Sequence, residues 1–269
     1  MEFDVMSKII LEIDGPLGIV TLNNPEKHNA FDYALIAELT ATFQLLDANP
    51  DVRVVILSAA GKSFSAGADL NWMKRMAEYS PEENLRDAKA LATLMSTLHG
   101  LSKPTIARVQ GAALGGGVGL VACCDMAVGT QVATFSLSEA KLGLIPAVIS
   151  PYVIAAIGER AAHRYFLTSE KFDAAEAFRL GLLHELAADH DAMDDKINDL
   201  VTALLACSPN AINEGKRLIN AVANHAINRE LIDNTAERIA RMRASDEGKE
   251  GVRAFLEKRK ARWVIEGEN

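Results

Sequence analysis

The chain lacks features that mark several common classes of protein. It has only three cysteines, at positions 123, 124 and 207, without CxxC spacing or an even number to pair. This excludes a disulfide-built domain and predicts a reducing compartment, by default the cytoplasm. No run reaches the ~18 apolar residues of a membrane helix. Residues 1–7 also lack the basic and apolar parts of a signal peptide. We therefore expect no membrane partner.

Basic residues are scarce relative to acidic ones. The 28 lysines and arginines face 36 aspartates and glutamates, so the formal charge is −8, and both signs are mixed along the chain. Such a balance argues against a nucleic-acid partner. The six histidines are scattered without the close spacing of metal ligands, so we expect no metal. A chain of 269 residues can build a large domain, or a domain with an appendage.

Alternating patterns predict an α/β core in the first half of the chain. The predicted order is two strands around Gly15-Pro16, a helix at 32–46, a strand at 52–58, a helix at 82–100, a strand at 105–109, a buried helix at 118–124, and strands at 125–128 and 133–136. Beyond about residue 150 we expect no strands, only helices, at 176–183, 192–206, 209–225, 228–244 and 252–263. We expect the core to comprise residues 1–200 and a helical region to comprise residues 201–269.

What the chain does have is two glycine-rich loops, at 61–70 and 111–119, each after an apolar β-type run. Side chains larger than methyl are absent from residues 66–68, which leaves the backbone open to a ligand. The glycines at 115–117 precede a predicted buried helix, whose dipole favours an anion there. Backbone N–H groups from two such loops can converge on one developing negative charge. The loops therefore predict an oxyanion hole, although each could be a simple turn between a strand and a helix.

A proton-transfer group is needed beside such a hole, and Glu139 is the candidate. It lies among apolar residues, where desolvation raises the pKa of a carboxyl group toward the useful range. From composition alone, a surface glutamate is the more common case. Two other sites are disfavoured: the G-x-G-x-x-A match at 117–122 lies inside a predicted helix in mid-chain, and no G-x-S-x-G nucleophile motif occurs.

Six segments in order resemble the enoyl-CoA hydratase/isomerase (crotonase) family, over nearly the whole chain. They are residues 23–31, 64–70, 103–111, 113–117, 139–146 and 250–259. The resemblance implies an α/β fold, a crotonase-like spiral of ββα units with a helical C-terminal trimerisation region. It also implies a homo-trimer or homo-hexamer and an acyl-CoA substrate, with no cofactor other than the coenzyme A that the substrate carries.

The resemblance also implies site residues. Backbone N–H groups of Ala66 and Gly116 would hold the thioester carbonyl oxygen, and Glu139 would transfer the proton. The implied substrate-binding residues are Lys27, His28, Ala66, Gly67, Ala68, Asp69, Leu70, Gly116, Phe255 and Lys258. The last two could equally be part of an ordinary amphipathic surface helix.

One position departs from the family pattern. Typical hydratases of the family have a second glutamate where this chain has Gly119, whereas Glu139 is kept. A single glutamate also resembles the Δ3,Δ2-enoyl-CoA isomerases. Residues 69–73, 115–121 and 138–151 look like the bacterial methylglutaconyl-CoA hydratases of leucine breakdown and their isohexenylglutaconyl-CoA relatives of terpene breakdown.

We therefore expect hydration of a methylglutaconyl-type acyl-CoA through one glutamate. A single-glutamate isomerase and a catalytically weak acyl-CoA-binding protein are the alternatives. The distal carboxylate of a glutaconyl group would need a cation. The candidates are Lys74, Arg75, Arg108 and Lys141.

Overall fold

A computed structural model of the chain describes residues 7–264. They divide into two compact units. The first contains the residues up to Leu101 and Thr105–Asn198, and the second contains Ser102–Pro104 and the residues from Asp199 onward. None of the helices in this described part combines the length and apolar character that a bilayer crossing requires.

Ten strands belong to the first unit. They are β1 (Ile9–Asp14), β2 (Leu17–Leu22), β3 (Val54–Ala59), β4 (Ser63–Ser65), β5 (Thr105–Val109), β6 (Ala112–Leu114), β7 (Met126–Thr130), β8 (Thr134–Ser136), β9 (Lys171–Asp173) and β10 (Glu185–Ala187). The helices along the chain are α1 (Tyr33–Ala48), α2 (Leu70–Met76), α3 (Pro81–His99), α4 (Gly116–Cys123), α5 (Ser150–Thr168), α6 (Ala174–Leu180), α7 (His190–Ala206), α8 (Pro209–Val222), α9 (Arg229–Ala244) and α10 (Asp246–Leu256).

Two sheets organise the first unit. The larger has the order β1-β2-β3-β5-β7-β10, and the smaller has the order β4-β6-β8-β9. In the larger sheet β1 and β2 form an antiparallel hairpin, while every later pairing is parallel. All six residues of β3 are buried, as expected for a strand that is covered on both faces.

A repeated connection places the site. Strands β3, β5 and β7 each leave the larger sheet and continue into a short strand of the smaller one, β4, β6 and β8 respectively, before the next helix. The ββα units expected from the resemblance are therefore present. Because β3, β5 and β7 are parallel neighbours, the segments after their carboxyl ends gather at one edge of the sheet. Both glycine loops and Glu139 lie in these segments.

The expectation that strands stop near residue 150 is wrong. β9 pairs antiparallel with β8, and β10 extends the larger sheet beside β7. Each has only three residues, too few to give a readable alternating pattern. The helix predicted at 176–183 instead spans Ala174–Leu180 and ends at Gly181, whose φ of +88° suits a left-handed C-terminal cap.

The second unit is helical within its described residues. The final helix, predicted at 252–263, lies earlier, at Asp246–Leu256. The chain then turns back, and buried Glu250 accepts hydrogen bonds from both terminal nitrogens of Arg259, at 2.7 and 3.0 Å. It also accepts one from the backbone N–H of Arg262 at 3.1 Å. These bonds tie the segment after α10 to that helix.

The ion pair between Glu250 and Arg259 is expected to make the stability of the fold sensitive to acid. Hydrogen bonds from Arg259 are the main reason that the pKa of Glu250 lies at about 2, below its usual value of 4.5. A carboxyl group with a lower pKa in the folded state stabilises the fold above its unfolded pKa, and this contribution is lost as the pH falls toward the folded value. We expect the Tm of the wild type to fall more steeply between pH 4.5 and 2 than that of Glu250→Gln. Thermal unfolding followed by circular dichroism measures both slopes.

Asp233→Asn provides the matched control, because it breaks an exposed pair with Arg229 of a kind that contributes little to stability. Its slope should equal that of the wild type. Equal slopes for the wild type and Glu250→Gln would contradict the prediction.

Candidate active site

The two glycine loops touch each other. Gly67, in the first loop, has φ of +82°, and a Cβ atom added to it would lie 3.0 Å from the carbonyl oxygen of Leu114. The same position is 3.9 Å from Cα of Gly115 in the second loop. Only a residue without a side chain allows both this backbone conformation and this approach. The loops therefore converge, as the sequence predicts.

Phe31 joins the two loops. Its N–H donates to the carbonyl oxygen of Gly67 at 2.6 Å, and its own carbonyl accepts from the N–H of Asp69 at 2.7 Å. Ala68 is thereby held opposite Phe31 in a parallel bridge. The ring of Phe31 lies against the second loop, 3.1 Å from where a Cβ atom of Gly116 would be. Through this one buried residue, Ala68 and Gly116 are brought to the same place.

The free backbone amides differ from those expected. Ala66 donates its N–H to the carbonyl oxygen of His28 at 2.9 Å, so this amide is not available as an oxyanion donor, and the expectation for Ala66 is corrected. The N–H groups of Ala68 and Gly116 have no hydrogen-bond acceptor among residues 7–264. These two amides, one from each loop, can receive a negative charge.

Two side-chain amides, Asn29 and Gln110, hold the first loop, and we call them the amide clamp. Asn29 donates through Nδ2 to the carbonyl oxygens of Ala60 and Ser63, both at 2.9 Å. Gln110 donates through Nε2 to three carbonyl oxygens, those of Ala59, Gly61 and Ser63, at 2.9, 3.1 and 3.2 Å. Both clamp residues are buried. Their bonds fix the loop by its main chain before any ligand binds.

Glu139 lies against the second loop. It begins a short 3₁₀ turn, Glu139–Leu142, just after β8. Its Oε1 is 3.1 Å from the position that a Cβ atom of Gly115 would occupy, so the glycine makes room for the carboxyl group. Oε2 is buried and has no hydrogen-bond partner in the described part of the chain. Burial raises the pKa of Glu139, as expected of a group that exchanges protons near neutral pH.

Hydrocarbon occupies the space beside Gly119. A Cβ atom there would lie 2.2 Å from Cγ2 of Ile149 and 3.3 Å from Cε of Met95. Gly115 and Gly119 are four residues apart at the start of α4 and share one face of it. The carboxyl group of Glu139 and the side chain of Ile149 therefore pack against the same face, about one 5.4 Å turn apart. An acid at position 119 would meet Ile149, so Glu139 has no carboxylate partner from this position.

This packing predicts a coupled pair of substitutions. Gly119→Ala should destabilise the fold by about 1–3 kcal/mol, because its methyl group overpacks against Ile149. Ile149→Ala should cost about 2–5 kcal/mol through a cavity. The double variant should lose less than the sum, since the new methyl group enters that cavity. Urea unfolding of the four proteins measures the coupling.

Gly215→Ala is the helical control, because nothing lies within 4 Å of its added Cβ atom, and it should not lower stability. Additive effects of the changes at positions 119 and 149 would contradict the packing described here.

The expected coenzyme A contacts are divided between the units. In the first unit, Nζ of Lys27 lies 3.4 Å from Oδ2 of Asp69, and Nδ1 of His28 lies 3.1 Å from Oγ of Ser63. Burial disfavours ionisation of Asp69, but the Trp72 amide and Lys27 outweigh it and keep the pKa of Asp69 below its usual value. Leu70 is 74% exposed. Phe255 and Lys258 lie in the second unit and are exposed, and their role stays a prediction.

Of the four cations that are candidates to bind a distal carboxylate, Arg108 already pairs with an acidic side chain. Its Nε and Nη2 donate to the two carboxyl oxygens of Asp194 at 2.6 and 2.9 Å. Lys74, Arg75 and Lys141 are exposed. Within residues 7–264 no group of three His, Cys, Asp or Glu side chains is arranged to hold a metal ion.

Sequence reasoning assigned no role to Phe31, Asn29, Gln110 or Ile149. Gln110 could have been noticed, because it is a polar residue between a buried strand and a glycine loop. Ile149 could not, since nothing in an apolar segment shows which side chain fills the space beside Gly119.

A family model described as enoyl-CoA hydratase/isomerase matches residues 12–266. An enoyl-CoA hydratase structure from Shewanella pealeana has 45% identity and a TM-score of 0.93, covering 96% of this chain and 97% of that one.

Two curated relatives add to the comparison. A Thermus thermophilus protein, provisionally named an enoyl-CoA hydratase, is 34% identical over 249 residues, 93% of this chain and 98% of its own. The mevalonyl-coenzyme A hydratase of Aspergillus fumigatus is 33% identical over 257 residues, 91% of this chain and 90% of its own. With the solved structure, they confirm the predicted α/β crotonase fold and its C-terminal helices.

Proposed function

Because the chain belongs to the enoyl-CoA hydratase/isomerase family, we propose that it adds water to an α,β-unsaturated acyl-CoA of the methylglutaconyl type. The observation that carries this proposal is the buried Oε2 of Glu139, which has no partner within the described residues and lies beside a pair of free backbone amides. The agreement of residues 69–73, 115–121 and 138–151 with methylglutaconyl-CoA hydratases supports the acyl group.

In the first step, Glu139 takes a proton from water while the water oxygen forms a bond to C3. The electron pair of the C2=C3 bond moves toward the thioester, and negative charge collects on its carbonyl oxygen. The N–H groups of Ala68 and Gly116 stabilise this oxygen. Loss of one such donor typically costs about 10²–10³ in rate.

In the second step, the enolate collapses and C2 takes a proton from the now neutral Glu139. One carboxyl group therefore serves first as base and then as acid, and it ends ionised as it began. The raised pKa of Glu139 suits both roles, because the group must release its proton as readily as it accepts it. The reaction needs no cofactor beyond the coenzyme A of the substrate.

A comparison of two reactions tests the proposal. In the first assay, purified enzyme is given methylglutaconyl-CoA, and hydration is measured as the loss of the absorbance of the conjugated enoyl thioester. In the second, the enzyme is given a 3-enoyl-CoA, and isomerisation is measured as the appearance of that absorbance. We expect hydration of methylglutaconyl-CoA to have the larger kcat/KM. Faster isomerisation would overturn the assignment in favour of the second candidate, and binding of acyl-CoA without either reaction would favour a catalytically weak acyl-CoA-binding protein.

Isomerisation of Δ3 to Δ2 enoyl-CoA is the second candidate, and one observation favours it. Moving a proton between two carbons needs one base and no water, and the position next to Glu139 on α4 is covered by Ile149. The same Ala68 and Gly116 amides would stabilise the dienolate. Hydration is preferred here because of the finer sequence agreement.

We also propose a homo-trimer or homo-hexamer. Exposed apolar side chains on the helices of the second unit support this, since isolated chains seldom leave many such groups in water. They are Leu218, Ile219, Ile232, Ile239, Val252, Phe255 and Leu256. Sedimentation equilibrium distinguishes the two assemblies from a monomer. We also propose a cytoplasmic location, since Cys123, Cys124 and Cys207 form no disulfide in the described part of the chain.

A further inference from the structure

A buried acid lies at one end of the apolar face of α3. The buried residues of this helix are Asp87, Leu94, Met95 and Leu98, so Asp87 is the one charged member. Its Oδ1 accepts a hydrogen bond from the indole N–H of buried Trp72 at 3.3 Å. A buried carboxyl group is costly in an apolar setting unless it has partners. The Trp72–Asp87 pair is therefore a polar contact on the otherwise apolar buried face of α3.

The pair is connected to the active site from two sides. Met95 lies eight residues along α3 from Asp87, about 12 Å at 1.5 Å per residue, and its Cε packs beside Gly119. Trp72 is anchored to the first glycine loop, because its backbone N–H donates at 3.0 Å to the side chain of Asp69, which caps α2. The Trp72–Asp87 pair is thus linked to the first glycine loop through α2 and to the Gly119 region through α3.

Two arginines, Arg75 and Arg86, lie near Asp87. Burial raises the pKa of Asp87 and favours its neutral form, while the Trp72 hydrogen bond and the charges of Arg75 and Arg86 act to lower it. Arg75 lies three residues after Trp72 on α2, so the two side chains share a face of that helix. No side chain within residues 7–264 forms an ion pair with Arg75. Arg75 can therefore accept another anion.

The other candidate cations are less well placed. Lys74 is two residues from Trp72, so it points to the opposite side of α2. Lys141 is two residues from Glu139 in a 3₁₀ turn of three residues per turn, and its exposed side chain points away from that of Glu139. Arg108 is held by Asp194.

We propose that Arg75, beside the Trp72–Asp87 pair, binds the distal carboxylate of the acyl group and selects acyl-CoA substrates that carry one. The guanidinium group can bind a carboxylate through two parallel hydrogen bonds. Arg75 lies six residues after Asp69, about 9 Å along α2. A five-carbon acyl chain spans roughly 5 Å from its four bonds of about 1.5 Å, and the long arginine side chain covers the remainder.

The test uses two unreactive saturated ligands, so no catalysis is involved. Isothermal titration calorimetry compares glutaryl-CoA, which has a distal carboxylate, with butyryl-CoA, which has none. The wild type should prefer glutaryl-CoA. Arg75→Gln should bind glutaryl-CoA about tenfold more weakly, the loss expected for a charge-assisted hydrogen bond, while binding of butyryl-CoA should change less than about twofold.

Lys74→Gln and Lys89→Gln are matched controls, because each removes one exposed cation from α2 or α3 and both should keep the preference. The proposal is overturned if the wild type shows no preference, if Arg75→Gln weakens both ligands equally, or if either control removes the preference instead.

This inference rests on the proposed methylglutaconyl-type function, but the two can fail separately. A wild type that prefers glutaryl-CoA yet does not hydrate methylglutaconyl-CoA would retain the carboxylate site and lose the proposed reaction. A wild type that hydrates methylglutaconyl-CoA while Arg75→Gln binds glutaryl-CoA normally would retain the reaction and lose the role of Arg75.

Discussion

Glu139→Gln is expected to lower kcat for hydration by about 10²–10⁴, the usual contribution of a positioned acid–base group. The upper part of this range applies if one carboxyl group both removes and returns the proton. KM should change little, since glutamine has the same shape and the Ala68 and Gly116 amides are untouched. Steady-state kinetics with methylglutaconyl-CoA measures the effect, and near-normal hydration would remove Glu139 from the mechanism.

The same substitution should leave the fold as stable or make it more stable. Burial raises the pKa of Glu139 above its usual 4.5, so the folded state penalises the ionised form. The wild type therefore loses stability as the pH rises from about 4.5 through the raised native value, and Glu139→Gln does not. Tm measured from pH 5 to 8 should diverge in favour of the variant.

Glu170→Gln is the control for both measurements, because Glu170 is a surface acid paired with Arg164. It should alter neither kcat nor the dependence of Tm on pH. A large loss of stability in Glu139→Gln would show that the carboxylate has a structural partner, and the account of a buried group kept for catalysis would be wrong.

Gly67→Ala is expected to reduce kcat by about 10²–10³, as loss of an oxyanion donor does. The added methyl group would meet the carbonyl oxygen of Leu114 at 3.0 Å, and the backbone of Gly67 has φ of +82°. Relief of this contact moves the first loop from the second and separates the amides of Ala68 and Gly116. Because these amides act mainly on the transition state, kcat should fall more than ligand affinity.

Gly15→Ala tests whether the effect comes from backbone strain alone. Gly15 also has positive φ, +52°, but nothing lies within 4 Å of its added Cβ atom. It lies between β1 and β2, outside the loops. Gly15→Ala should cost stability and leave kcat unchanged. An equal loss of kcat in the two variants would contradict the dependence of catalysis on loop contact.

Much of the fold could be predicted because its long elements have clear periods. α1 and α3 have the i, i+4 apolar spacing of amphipathic helices, and β3 has the continuous apolar run of a strand covered on both faces. β9 and β10 could not be predicted, since three residues have no period and their pairing depends on distant strands.

The site was predictable at the level of its parts. Glycines and small residues identify two loops where a backbone can meet a ligand, and they are found in contact. Which amide remains free is a different question: Ala66 and Ala68 have the same side chain, and only the hydrogen bond to His28 distinguishes them. Likewise, Gly119 could be read as a missing acid, but Ile149, 30 residues along the chain, could not be assigned to its place.

The contact between Gly119 and Ile149 has an evolutionary consequence. A second acid at position 119 would cost stability, because the new side chain would enter space that Ile149 already fills. A smaller residue at position 149 would make room for it, but that variant alone would have a cavity and no new chemistry. Either order of the two mutations therefore passes through a less stable protein, so more than one change separates this chain from two-glutamate chemistry.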